Sequence, residues 1–170
     1  AAEMIAEPIG LTDRPDAATL AVKGPEIRFE DVSFGYTPDR SVIDGFDLVV
    51  RPGEKVGIVG RSGSGKSTLV NLLLRFYDVK GGRILIDGQD ISAVTQQSLR
   101  SAIGMVTQDT SLLHRTIREN ILIGRPDASD RDLAAALQRA EADSFVGQLE
   151  DHRWSKGLEA QVGERGVKLS

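Results

Sequence analysis

Eight consecutive residues, Gly60-Arg61-Ser62-Gly63-Ser64-Gly65-Lys66-Ser67, have the types and spacing to hold a polyphosphate. They fit the pattern G-x-x-x-x-G-K-[ST] of a phosphate-binding loop. Such a loop wraps phosphate oxygens closely enough for backbone N–H groups to point inward, and a Cβ would obstruct that approach. Gly60, Gly63 and Gly65 remove the obstruction. Lys66 can then reach the β- and γ-phosphates as a point charge, and the Ser67 hydroxyl can ligate Mg²⁺. A Gly/Ser-rich turn matching by chance has a probability on the order of one in a hundred in a chain this long.

Context lowers that further. Lys55-Val56-Gly57-Ile58-Val59 reads as a short buried strand leading into the loop, and Leu69, Leu72, Leu73 and Phe76 follow it at helical spacing. The helix from Thr68 to Phe76 turns its positive N-terminal end toward the same anion. Strand, glycine loop and helix are the three elements the chemistry requires.

The surrounding chain supplies the scaffold. Residues 1–24, broken by Pro8, Pro15 and Gly24-Pro25, read as a linker, and Ala1 to Glu7 as the end of a helix arriving from upstream. Ile27, Phe29, Val32, Phe34 and Tyr36 alternate, with a slip of phase near Glu30-Asp31 that predicts a bulge. Thr37 to Arg40 form a turn, and Val42-Ile43 and Phe46 to Val50 are further strand pieces. Arg83 to Ile86 form a strand closed by the tight-turn pair Asp87-Gly88, where Asp87 serves the turn alone. Ser92 to Ala102 read as one helix and Ile103 to Val106 as another short buried strand. From residue 116 the pattern is helical. Ser129 and Asp132 stand at capping-box spacing, ahead of an apolar stripe of Leu133, Ala136, Leu137 and Ala140. Phe145, Val146 and Leu149 form a second stripe, ended by charged residues 150–153, and Trp154 reads as a packing anchor.

Composition bounds the rest. A chain of 170 residues suits one domain with a sizeable core. Hydrophobic residues make up 40% and the net charge is −4, so nothing points to a nucleic-acid partner. The absence of cysteine excludes disulfides and thiolate zinc sites and fits a reducing compartment. No apolar run approaches the ~18–20 residues that span a bilayer, and the first residues lack the basic-then-apolar pattern of a signal peptide.

Further motifs, collinear with the loop, carry a family resemblance. Phe34-Gly35-Tyr36 looks like an adenine-stacking loop, and Val106-Thr107-Gln108-Asp109 like a glutamine loop. Between them, Phe76-Tyr77-Asp78, Asp87-Gly88-Gln89-Asp90-Ile91 and Ser98-Leu99-Arg100 match the same pattern. Thr116-Ile117-Arg118-Glu119-Asn120-Ile121 with Gly124 resembles the start of a helical subdomain, and Val162-Gly163-Glu164-Arg165-Gly166 a loop before a signature motif. Over residues 25–170 the chain resembles the nucleotide-binding domain of an ABC transporter of the exporter type. Residues 1–24 resemble the linker that leaves the last transmembrane helix.

The resemblance implies an α/β fold, a P-loop NTPase (RecA-like) core with an antiparallel β layer. To this is joined the start of an α-helical subdomain, from about residue 116 to 170. It implies ATP and Mg²⁺ held by residues 60–68, with Tyr36 under the adenine and Gln108 bridging the Mg²⁺/γ-phosphate site to a transmembrane domain. Thr68 belongs to the same cradle, and Ser67 and Gln108 are the implied metal ligands. Glu164 and Arg165 are implied contacts to the transmembrane domain. A second nucleotide-binding domain completes each site in the family, at the cytoplasmic face of the membrane.

In that family Leu169-Ser170 continues as Gly-Gly-Gln. The expectation is therefore a domain truncated before the second half of its core, without the strand that bears the catalytic carboxylates. His114 and His152 do not occupy the family's switch position and read as surface histidines. Beyond Lys66 the chain holds no implied catalytic residue. Three alternatives stay open: a partial domain that binds nucleotide weakly without hydrolysis, a soluble ABC ATPase, and a P-loop nucleotide kinase.

Overall fold

The computed structural model describes residues 11–107 and 112–162. The chain divides into two compact units, one up to Met105 and one from Val106.

The first unit is built on a four-stranded antiparallel sheet in the order β2-β1-β3-β4, with β1 Ile27–Phe34, β2 Ile43–Val50, β3 Gly81–Ile86 and β4 Gln89–Asp90. The phase slip anticipated in β1 is a bulge. Phe29 pairs with Leu48 and Val32 with Phe46, and the register shifts between them. Asp31 takes φ +48° there, and its N–H donates to the Asp47 carboxylate at 2.9 Å. The bulge brings Phe29, Val32 and Phe34 onto one face. Helix α1 (Lys66–Leu73) lays Leu69 and Leu72 on the same core as Ile84, Ile86 and Leu99. The Asp87-Gly88 turn forms as read, with both residues at positive φ.

Two expected strands do not form. Residues 55–59 and 103–106 are neither helix nor strand, and Val59 and Val106 are 93% and 94% exposed. Their apolar pattern suits a parallel sheet, but a parallel strand exists only through its ladder with neighbours. Among the described residues no strand pairs with either segment. Likewise the span 92–102 is not one helix. A 3₁₀ turn (Ile91–Ala93) and helix α2 (Gln96–Ser101) are separated by extended Val94 and Thr95, and the Thr95 hydroxyl accepts from the Ser98 N–H to start α2 afresh.

The segment read as linker is, from residue 11, laid along this unit. Leu20 is buried, and Ala18 forms a parallel bridge with Val94. Asp87 does more than shape its turn, since its carboxylate accepts from the Lys23 and Gly24 N–H groups at 2.7 and 3.2 Å. Those two donors hold its carboxyl below the usual range. Asp13 accepts from the Gln96 N–H and side-chain amide and pairs with Arg75 at 3.1 Å. Arg75, just past the end of α1, is 2% exposed and also donates to Asp78 and the Val94 carbonyl. A buried guanidinium without these partners would be strongly destabilising.

The second unit carries α3 (Ile117–Leu122), α4 (Asp130–Arg139) and α5 (Asp143–Gln148). Capping boxes open two of them: Thr116 with Glu119, and Ser129 with Asp132 as read from the spacing. The core is small, with Ile117, Val146 and Val162 buried and Leu137, Leu149 and Leu158 partly so. Of the first stripe, Leu133 is buried while Ala136 and Ala140 are exposed. Phe145 is exposed too, and Trp154 is no packing anchor, being 80% exposed at φ +66°. Asp151 anchors that stretch instead. Its carboxylate accepts from the N–H groups of Gln161, Arg153 and Ser155, at 2.9, 2.8 and 3.0 Å, which hold its carboxyl below the usual range.

Candidate functional site

The phosphate-binding motif sits on one wall of an open cleft of about 550 Å³ in the first unit. Gly65 is the N-cap of α1, at φ +86°, a left-handed conformation suited to glycine. A Cβ there would stand 3.3 Å from both Cγ1 and the carbonyl oxygen of Val42. Among the described residues no side chain caps this helix end, so first-turn N–H groups remain for an anion, in line with the helix dipole. A Cβ on Gly60 would lie 2.6 Å from Ser64 Oγ, which would have to turn away. Of these loop glycines, Gly65 is the one where a larger residue would crowd backbone, while among the described residues a Cβ on Gly63 would meet open space.

Lys66 is held inside the loop. Its Nζ donates to the carbonyls of Gly60 and Arg61, both at 2.8 Å, with Ser64 Oγ at 3.5 Å. The ammonium is therefore aimed at the space the loop encloses. Ser62, Gly63, Gly65, Lys66, Ser67 and Thr68 all line the cleft, whereas Arg61 contributes its carbonyl to Lys66. Backbone N–H groups, the Lys66 ammonium and the Ser67 hydroxyl together make a donor set that suits a polyphosphate.

The facing wall comes from the turn after β1: Tyr36, Thr37, Arg40 and Val42. Tyr36 stands edge-to-face with Phe34 and Tyr77, at ring separations of 5.0 and 5.2 Å, and is 52% exposed. Its hydroxyl lies 3.1 Å from Thr68 Oγ1, tying the ring to the first turn of α1. Sequence reasoning identified Tyr36 but missed Tyr77 as its support, and missed Thr37, Arg40 and Val42. Gly35 was the available signal, since a glycine before a turn marks a close backbone approach. Gln108 lies outside the described residues, as do Glu164 and Arg165. His114 and His152 are both exposed.

The profile of ABC transporters matches residues 43–163, most of the chain. The chain belongs to the ABC transporter family. An uncharacterized ABC transporter ATP-binding protein of Haemophilus influenzae is 54% identical over 166 residues, covering 98% of this chain and 27% of that protein. An ATM1-type heavy metal exporter of Novosphingobium aromaticivorans is 48% identical over 162 residues, covering 95% of this chain and 26% of its own length. The solved structure of a bacterial Atm1-family ABC exporter with ATP bound superposes with a TM-score of 0.86 at 46% identity. That superposition covers 99% of this ABC chain and 29% of the exporter. The chain is thus homologous to part of Atm1-type exporters and spans about a quarter of the length of these relatives. Its fold is the ABC-type P-loop fold, mixed α/β with an antiparallel sheet. Family membership also sets aside the nucleotide kinase reading.

Proposed function

We propose that this chain is the nucleotide-binding part of an ABC exporter of the Atm1 type, and that it binds MgATP in the cleft between residues 60–68 and Tyr36. The observation that carries this reading is Lys66, fixed by two loop carbonyls at the uncapped start of α1, opposite an exposed tyrosine ring. In this reading Lys66 and the loop N–H groups neutralise and orient the phosphates, and Tyr36 offers a face to the adenine. The Ser67 hydroxyl would help hold Mg²⁺, which would supply charge neutralisation for the phosphates. Gln108 is proposed as the link from the Mg²⁺/γ-phosphate site to a transmembrane domain.

The whole protein would then couple MgATP binding and hydrolysis to export, working as a dimer of such domains at the cytoplasmic face of a membrane. Sequence kinship to the Atm1-type exporters over nearly the whole chain supports this.

Tyr36→Ala is expected to weaken ATP and ADP alike, by ~1–3 kcal/mol, the range for a base stacked on an aromatic ring. Titration calorimetry with both nucleotides reads this directly. A loss confined to ATP would place Tyr36 near the γ-phosphate and defeat the stacking role.

Residues 1–170 alone are expected to bind MgATP without turning it over, since no carboxylate in them takes the family's general-base position. Phosphate release with Mg²⁺ is the assay, with purified Lys66→Ala protein as the control for contaminating ATPase. Steady release by the wild type that is absent from the control would mean that the chain carries its own base.

A further inference from the structure

We propose that Arg40 is a second cation of this site, donating hydrogen bonds to phosphate oxygens of the bound nucleoside polyphosphate. The inference rests on the phosphate-loop reading and adds to it a residue from the opposite wall. Arg40 lines the same cleft as Lys66 and Ser67. Elsewhere in the first unit, Arg28, Arg75 and Arg83 each pair with a carboxylate. Among the described residues the Arg40 side chain has neither an ion pair nor a hydrogen bond, leaving all five of its N–H groups for a ligand.

Its position is built by the backbone on three sides. A Cβ on Gly35 would stand 2.1 Å from the Arg40 carbonyl oxygen, so the turn closes only because residue 35 is glycine. Thr37 and Arg40 bridge across the turn, and Lys80 Nζ donates to the Thr37 carbonyl at 2.9 Å. Beyond it, Val42 donates its N–H to the Phe34 carbonyl at 2.8 Å and packs against Gly65 of the loop. The turn is therefore fastened to the strand behind it and to the phosphate cradle before it. The planar fork of an arginine on that wall suits phosphate better than a base or a hydroxyl.

The test is titration calorimetry of the chain with MgATP, MgADP and adenosine at two salt concentrations. Arg40→Ala is expected to weaken both nucleotides about tenfold, the loss of one charge-assisted contact, and to flatten the salt dependence. Adenosine binding should not move. Arg40→Lys should restore part of the loss by returning the charge without the fork. Arg51→Ala, which removes a charge from an exposed turn outside the cleft, should match the wild type. If Arg40→Ala binds both nucleotides as tightly as the wild type while Lys66→Ala does not, the inference fails and the loop reading stands. An equal loss for adenosine would also overturn it, because Arg40 would then support the turn under the base. If Lys66→Ala itself matches the wild type, the site and this inference fall together.

Discussion

Lys66→Ala is expected to lower ATP affinity by about a hundredfold or more while leaving the fold in place. Hydrogen bonds from a charged donor contribute roughly 1.5–3 kcal/mol each, and tenfold in affinity corresponds to about 1.4 kcal/mol. An ammonium shared between two phosphates therefore reaches that loss. The fold should survive because, among the described residues, Nζ hydrogen-bonds only with carbonyls and one hydroxyl of its own loop. Binding of adenosine, which has no phosphate, should be little changed. Equal ATP affinity in the two proteins, measured by calorimetry, would remove residues 60–67 from the site.

Gly82→Ala is the substitution expected to cost most in stability. Gly82 has φ +71°, and a Cβ on it would stand 2.2 Å from the carbonyl oxygens of both Glu30 and Asp31. These are backbone atoms of the β1 bulge, so no rotamer change relieves the clash. The left-handed conformation costs alanine about 1–2 kcal/mol, and forced overpacking roughly 1–3 kcal/mol more. The sum is a large part of a typical domain's 5–15 kcal/mol. Gly88→Ala separates the two causes, because Gly88 has φ +75° and nothing within 4 Å of its would-be Cβ. Urea denaturation should show Gly82→Ala as the more destabilised by ~1–3 kcal/mol. Equal midpoints for the two variants would mean that β3 does not press against the bulge.

What the sequence made legible was local. The phosphate loop is contiguous, so its glycines, lysine and serine declare themselves without knowledge of the fold. The β1 bulge announced itself through the period of its own apolar residues, and the Ser129–Asp132 box through a three-residue spacing. Residues 55–59 and 103–106 misled for the complementary reason: their pattern is that of a strand, but a strand needs a ladder that the segment cannot supply itself. Arg75 and Asp151 were unreadable because burial of a charge depends on partners that no period or spacing rule announces. Arg75 meets Asp13 across 62 positions, and Asp151 meets the Gln161 N–H around an irregular loop. Asp87 looked complete as a turn residue until the segment at Lys23-Gly24 came down on its carboxylate. Trp154 erred the other way, since a large aromatic is usually buried but here sits at positive φ and points outward. Arg40 was read only as part of a turn, and its place on the cleft wall depends on Gly35, which lets that turn close.

The central claim is that backbone N–H groups of residues 60–68 hold phosphate. Amide resonances of an isotope-labelled chain, followed during titration with MgADP and then with adenosine, address it residue by residue. MgADP is expected to shift the Gly63, Gly65, Lys66 and Ser67 amides in a saturable way, and adenosine to move residues around Tyr36 while leaving those four in place. Saturable MgADP binding that leaves the four amides unmoved would contradict the claim.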